Sequence, residues 1–318
     1  MSKYNRFRPG KINDYSLRSR PSKVQLSDFA GPMAGQQFSD FVQSMPNILA
    51  VRELKQLLAR LVEARRRKAG LIWGFGGHVI KVGLGPLLVD LMERRFCTAF
   101  ATNGAGLIHD FEIALCGNTS EDVDRSLQDG SFGMARETGQ FLNDVINRGA
   151  AQGQGMGEAV GQFLNESSEV KHPRASLVAS AYRRGIPVCV HVAFGTDIIH
   201  NHPSADGSAI GTCTQIDFQI LTAEVAKIGD GGAYLNIGSA VLLPEVFLKA
   251  VTILRNVGVE LTDFTTANFD FLQHYRPLQN VIKRPVSGNG RGFALTGHHE
   301  IMIPLLAALL IGASGQAE

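Results

Sequence analysis

The chain has 318 residues, a net charge of +2, 44% hydrophobic residues and 19% charged residues. This is globular composition with ample material for a core. The near-neutral charge removes any electrostatic case for a nucleic-acid or membrane-surface protein. Four cysteines (Cys97, Cys116, Cys189, Cys213) show no CxxC spacing and read as reduced thiols of a cytoplasmic protein. The apolar run Ile301 to Ala313 is too short to span a bilayer and predicts a buried helix.

Residues 1–45 are basic and rich in Ser, Pro and Gly, which predicts an extended arm ahead of a single domain over 46–318. Arg52 to Lys68 is an amphipathic helix, with Leu54, Leu57, Leu58, Leu61 and Val62 on one face. Its terminal Arg65-Arg66-Arg67-Lys68 suits the negative end of the helix dipole better than a phosphate site. Leu71–Gly74 is a strand that runs into Gly74-Phe75-Gly76-Gly77-His78, and helix Leu84–Arg95 follows. Neither GxGxxG nor GxxxxGK[ST] is present. Phe96–Ala101 is a second strand, delivering Thr102-Asn103-Gly104-Ala105-Gly106 and then His109, Asp110 and Glu112.

Thr119-Ser120-Glu121-Asp122 predicts a capped helix start. The glycines at 149, 153, 155, 157 and 161 predict a link or lid between two helices. The βα rhythm then resumes. Helix Arg174–Arg184 leads to strand Ile186–His191 and a polar loop containing Asp197, His200 and His202. Helix Gln215–Lys227, strand Gly232–Ile237 ending in Gly238-Ser239, and helix Pro244–Arg255 come next. Strand Leu261–Ala267 ends at Asn268, and strand Phe293–Thr296 ends at Gly297-His298-His299-Glu300. Strands alternating with helices of this length predict an α/β fold: a Rossmann-like, mostly parallel sheet with helices on both faces.

In such a sheet the polar residues after each strand converge at one end. Those residues are His78 and Lys81; Thr102, Asn103, Gly104, His109 and Asp110; Asp197, His200 and His202; Gly238 and Ser239; Thr266 and Asn268; and His298, His299 and Glu300. Two chemistries fit them. A metal held by His200 and His202 with His298, His299 or an acid suits a hydrolase or lyase. A nucleotide along the glycine turns, with histidine as acid or base and lysine as nucleophile, suits a cofactor enzyme.

Taken together, the motifs resemble the deoxyhypusine synthase family in its divergent bacterial form. Ala101-Thr102-Asn103-Gly104-Ala105-Gly106 resembles the family's Thr-Ala-Gly-Gly turn. Gly77-His78-Val79-Ile80-Lys81-Val82-Gly83 resembles its Ser-Asn-Leu-Ile-Ser-Ser-Gly segment. Ile186-Pro187-Val188 matches the strand before its Asp-Gly-Ser loop, and Gly238-Ser239-Ala240-Val241 stands at its triple-glycine turn. Thr265-Thr266-Ala267-Asn268 is similar to its Asn-Thr-Ala-Gln, Arg276-Pro277 to its later Arg-Pro, and Ile303-Pro304-Leu305-Leu306 to its Phe-Pro-Leu-Leu. The order holds from about residue 40 to 312.

The resemblance implies an NAD-dependent transferase that moves an aminobutyl-like group of a polyamine or related amine through an enzyme-lysine imine. It also implies a homotetramer with sites at subunit interfaces. It would assign NAD to His78, Lys81, Thr102, Asn103, Gly104, Gly238, Ser239, Thr266, Ala267 and His298. Catalysis would fall to Lys283, His109, Asp110 and His200, and substrate contacts to Asp197, Gln279 and His299. Lys81 is a second candidate nucleophile. The family's Trp-Gly-Lys is absent, and its acids are partly replaced by His109, His200 and Gln279, which implies an altered substrate. A non-catalytic oligomeric relative is the remaining expectation.

Overall fold

A computed structural model describes residue 30 and residues 38–314. The chain divides into a unit of residues 1–52 and a unit of residues 53–318. Most of the predicted arm lies outside the described residues. Its described end is not extended: Phe38–Ser44 forms helix α1.

Helix α2 (Leu49–Arg67) buries Leu54, Leu57, Leu61 and Ala64. Strand β1 (Leu71–Phe75) follows, then the short α3 (Gly77–Lys81) and α4 (Gly85–Glu93). Strand β2 (Ala99–Asn103) leads directly into α5 (Gly104–Cys116), and α6 (Val123–Asp129), α7 (Arg136–Gln152), α8 (Met156–Glu166) and α9 (Leu177–Arg183) precede β3 (Val188–His191). A 3-10 turn (Ile198–Asn201) and α10 (Gly207–Val225) lead to β4 (Ala233–Ile237), α11 (Leu242–Asn256) and β5 (Thr265–Asp270). The single turn α12 (Tyr275–Pro277) runs into a π turn (Leu278–Lys283) before β6 (Arg291–Thr296) and α13 (His299–Ser314).

The strand order is β3-β2-β1-β4-β5-β6, and every pair is parallel. β1, β3, β4 and β5 are buried along their whole length, as expected for strands covered on both faces. Trp73, Phe100, Tyr234, Phe247 and Phe264 supply much of the core volume. Chain order reverses between β1 and β4, so the ligand crevice of such a sheet lies beyond the carboxyl ends of these two strands.

Two of the predicted boundaries that shift have a clear local reason. β2 begins at Ala99 rather than Phe96, because Phe96 and Cys97 sit in the preceding turn and the Phe96 carbonyl accepts the Trp73 indole N–H at 2.8 Å. Within the predicted capping stretch it is Asp122 that caps α6, accepting the Arg125 N–H at 3.3 Å. The glycine-rich stretch does contain the expected link, Gly153 to Gly155 between α7 and α8, but it is short and flanked by glycines within the helices. Gly149 lies inside α7, and Gly157 and Gly161 lie inside α8, where they allow close packing. A Cβ at Gly161 would stand 2.8 Å from the Tyr182 Cβ, and one at Gly149 would stand 2.5 Å from the Ala159 Cβ.

Asp217 on α10 ties this region together. Its side chain is buried, yet Oδ2 accepts the Val190 N–H of β3 at 2.9 Å and the N–H groups of Met156 and Gly157 at 3.0 and 3.3 Å. The last two are the first free donors of α8, so a carboxylate from another helix caps α8. Burial outweighs these bonds and pushes the Asp217 pKa up to about 7.

The raised value fixes the sign of a pH effect. The protonated carboxyl is favoured in the fold, so the stabilising contribution of Asp217 is complete below about pH 4 and declines as pH rises through about 7. Asp217→Asn does not titrate. The advantage of wild type over this variant in urea denaturation is therefore expected to shrink between about pH 4 and 7. An advantage that grows with pH over that window contradicts this reading.

Candidate active site

At the crevice, the turns after β1 and β4 press together. Gly76 donates its N–H to the Ile237 carbonyl at 2.9 Å, and Gly238 donates to the Phe269 carbonyl at 3.0 Å. Gly238 has φ +64°, a region costly for other residues, and a Cβ there would lie 2.5 Å from Cε1 of His299. His299 is buried, and neither ring nitrogen has a hydrogen-bond partner. Its Nε2 stands 3.9 Å from Oδ1 of Asp270, at the end of β5. Burial lowers the His299 pKa, and the Asp270 charge opposes this. His78, Phe271 and His298 gather around it: the His78 and His299 ring centroids are 5.5 Å apart, and Phe271 stacks on His298 at 6.0 Å.

Beneath this cluster, buried amides hold the strand ends in register. The Asn236 Nδ2 donates to the Ser239 carbonyl at 2.9 Å and to Oδ1 of Asn268 at 2.7 Å. Asn268 donates to Gln273, which donates to the Leu295 carbonyl. The loops after β4 and β5 are thus tied to one another and to the end of β6.

On the other side of β1, α5 starts directly from β2. Asn103 accepts the Gly106 N–H at 2.9 Å and caps the helix. Asp197, from the loop after β3, lies over this helix start, so a Cβ at Gly104 would be 2.0 Å from its Oδ2. That oxygen has no partner and lies 3.9 Å from the equally unpartnered Nε2 of His200. The Gly195 N–H donates to Nδ1 of His200 at 3.0 Å, which makes Nε2 the protonated nitrogen of the neutral ring. Burial raises the Asp197 pKa to about 6.

A cleft of about 600 Å³ opens between α5, α7 and the segments after α5 and β3. Lys81, His109, Glu112, Glu121, Glu137 and Asp197 supply its charged groups and its imidazole, and the free thiol of Cys116 also lines it. A Cβ at Gly77 would lie 2.9 Å from the Ala105 Cβ, so the cleft adjoins the glycine crevice. On its wall, Nδ1 of His109 stands 2.7 Å from the Thr119 hydroxyl, which donates to Oε2 of Glu112 at 2.5 Å. The Thr138 hydroxyl donates to Oε1 of the same carboxylate at 2.9 Å.

The structure separates the residues assigned from the sequence. His78, Gly104, Gly238, His298 and His299 stand at the carboxyl end of the sheet, and Lys81, His109 and Asp197 line the cleft. Thr102, Asn103 and Ser239 are near but engaged: Thr102 donates to the Phe75 carbonyl, and Ser239 accepts the Leu243 N–H.

Asp110 is turned away from the cleft. It is buried, accepts the Ser176 hydroxyl and the Leu177 and Val178 N–H groups, and so caps α9. Thr266 and Ala267 lie near the start of β5, because the strand continues to Asp270; the Thr266 hydroxyl donates to the Val281 carbonyl. Gln279 and Lys283 belong to the π turn between β5 and β6 and do not line the cleft. Ile282 is level with Gly292, the second residue of β6, as a Cβ there would lie 2.2 Å from its carbonyl. The exposed Lys283 therefore sits roughly four residues, or about 13 Å, below the strand ends.

His200 and His202 follow β3, whereas His298 and His299 follow β6, at opposite sides of the sheet. His299 reaches back over the centre of the sheet, against Gly238 after β4 and His78 after β1, and is not among the groups around His200. Among the described residues no group of three or more His, Cys, Asp or Glu is arranged to hold a metal ion.

Glu112, Thr119, Thr138, Glu121, Asp270 and Phe271 were absent from the assignment. Glu112 was accessible, since a position three beyond His109 shares its helix face. The others arrive through turns and through α7, which no local pattern reveals.

No family model matches the sequence, and no curated protein matches it. Its fold is Rossmann-like and is shared with several solved structures. AgrE, solved with ornithine and NAD+, is 13% identical with a TM-score of 0.53 over 85% of this chain and 34% of AgrE. A protein of Entamoeba histolytica provisionally assigned as a deoxyhypusine synthase is 11% identical with a TM-score of 0.52, over 87% of this chain and 94% of that one. A conserved protein of Methanococcus maripaludis S2, provisionally assigned as LOR/SDH, is 14% identical with a TM-score of 0.50, over 84% and 71%. The chain spans about a third of AgrE. At these identities the likeness is one of fold.

Gly238→Ala tests the crevice packing. The left-handed backbone alone is expected to cost about 1–2 kcal/mol, with the His299 contact in addition. In a denaturation cycle, adding His299→Ala should recover the second part only. Strict additivity of the two substitutions refutes the contact.

Proposed function

We propose that this chain is an NAD-dependent enzyme acting on a cationic amine. The observation that carries this reading is the charge of the cleft: four carboxylates (Glu112, Glu121, Glu137 and Asp197) face one lysine and one histidine. Ammonium groups are recognised by this excess of acceptors. The glycine crevice adjoining the cleft supports the cofactor.

An elongated, hydroxyl-rich dinucleotide fits the row of free buried polar atoms along the strand ends: Oδ2 of Asp197, Nε2 of His200, Oδ1 of Asn236 and both nitrogens of His299. Asp197, His200 and His299 would hold it, together with the backbone at Gly76 and Gly238. Bound NAD+ would supply a hydride acceptor. The chain's own residues orient the amine, with the exposed Glu121 and Glu137 at the mouth and Glu112 adding negative charge to the wall behind them. If the reaction passes through an enzyme imine, as in deoxyhypusine synthases, Lys81 is the lysine placed to form it, since it alone of the two candidates lines the cleft.

Calorimetry with NAD+ should show one saturable site per chain, and a panel of diamines and basic amino acids should yield NADH. Glu121→Gln and Glu137→Gln are each expected to raise KM for the productive amine roughly tenfold, the loss of one charged hydrogen bond. Absence of NAD+ binding removes the cofactor from the proposal. Binding without turnover of any amine points to a non-catalytic relative.

A further inference from the structure

We propose that Nε2 of His109 is the proton acceptor of the cleft, held in that role by Thr119 and Glu112. The inference rests on the reading of the cleft as the amine site, and it follows from counting protons. Thr119 has one hydroxyl proton. Glu112 offers acceptor oxygens, and the 2.5 Å contact to Oε2 takes that proton. The Thr119 oxygen is then an acceptor toward His109, so Nδ1, at 2.7 Å, must be its donor. In a neutral imidazole the other nitrogen carries the lone pair. Nε2 receives no hydrogen bond from any described residue, and the half-buried ring lines the cleft.

His200 and His202 have the opposite arrangement. Each accepts a backbone N–H at Nδ1, from Gly195 and Ser204 respectively. Of His109, His200 and His202, His109 alone has its base turned outward. Glu112 is itself fixed by Thr138 of α7, so the relay joins α5, the segment after it and α7.

The step is a proton transfer. A substrate ammonium, R–NH3+, gives one proton to Nε2 and leaves as R–NH2 with its lone pair free for imine formation or for oxidation at the adjacent carbon. The ring becomes imidazolium, and its charge is balanced by Glu112 through the Thr119 hydroxyl. His109 is the catalytic residue; Thr119 and Glu112 are positioning residues.

The ring is available as a base at neutral pH because burial lowers its pKa and Lys81 lowers it further, against the opposing charge of Glu112. The other charged groups of the cleft are Glu121 from the segment after α5, Glu137 from α7 and Asp197 from the loop after β3.

Nitrogen-15 NMR of histidine-labelled full-length protein, with His109→Gln to assign the signal, reads the tautomer without any substrate. The expected result is a protonated Nδ1 and a free Nε2. Glu112→Gln and Thr119→Val should both shift the ring pKa downward, and Thr119→Ser should restore it. A protonated Nε2 in wild type, or a ring pKa indifferent to Glu112→Gln, overturns the relay.

With the amine found productive above, His109→Gln is expected to lower kcat about 100-fold or more at little change in KM. Thr119→Val should move the acid limb of the pH profile to lower pH. Unchanged kcat in His109→Gln overturns the catalytic role. If no amine is turned over, the functional proposal fails, while the NMR result still decides the relay.

Discussion

All six strands run the same way, and that constraint governs everything else in the molecule. Parallel neighbours cannot be joined by tight turns, so each strand must be followed by a crossover that returns the chain to the starting end. Every segment that leaves a strand therefore emerges at one end of the sheet. Six short polar stretches, far apart in sequence, are brought side by side by this rule alone. Their chemistry becomes collective because the backbone leaves them no other place to go.

The site has two parts that differ in how they are held. Over β4, β5 and β6, buried amides and packed rings fix His299 and its neighbours with little freedom. On the far side of β1, carboxylates and hydroxyls from α5, α7 and the β3 loop build an open cleft. The first part has free hydrogen-bonding atoms but little charge, and the second has an excess of negative charge. A ligand spanning both would be neutral or anionic at one end and cationic at the other. That polarity is what the proposed cofactor and amine, lying end to end, would require.

Much of the fold was legible because it depends on local chemistry. Alternation of apolar strands with amphipathic helices gave the parallel sheet, and the small polar residues after each strand marked its ligand-facing end. Legibility failed where two elements meet. Asp110 and His109 are adjacent in sequence, but a helix sends neighbours to different faces; Asp110 turned inward to cap α9, which no local signal announces. Thr266 looked like a strand end because Asn268 is a common strand breaker, yet that asparagine is buried and paired with Asn236, so β5 runs on. Of the glycines of 149–161, Gly153 and Gly155 form the expected link between two helices, whereas Gly149, Gly157 and Gly161 lie inside them and serve close packing. Lys283 matched a motif by position, but the π turn that carries it descends away from the strand ends.

One of those packing glycines has a consequence for how the sheet meets other chains. β3 is the last strand on its side, and a terminal strand ordinarily presents a row of unsatisfied peptide groups to which a foreign strand can add. Here α8 comes so near that a Cβ at Gly157 would lie 1.7 Å from the Val188 carbonyl oxygen. The Val190 amide is meanwhile occupied by Asp217. A missing side chain and a buried acid thus shield this flank from recruitment into an aggregate. Self-association by sheet extension is closed on the β3 side.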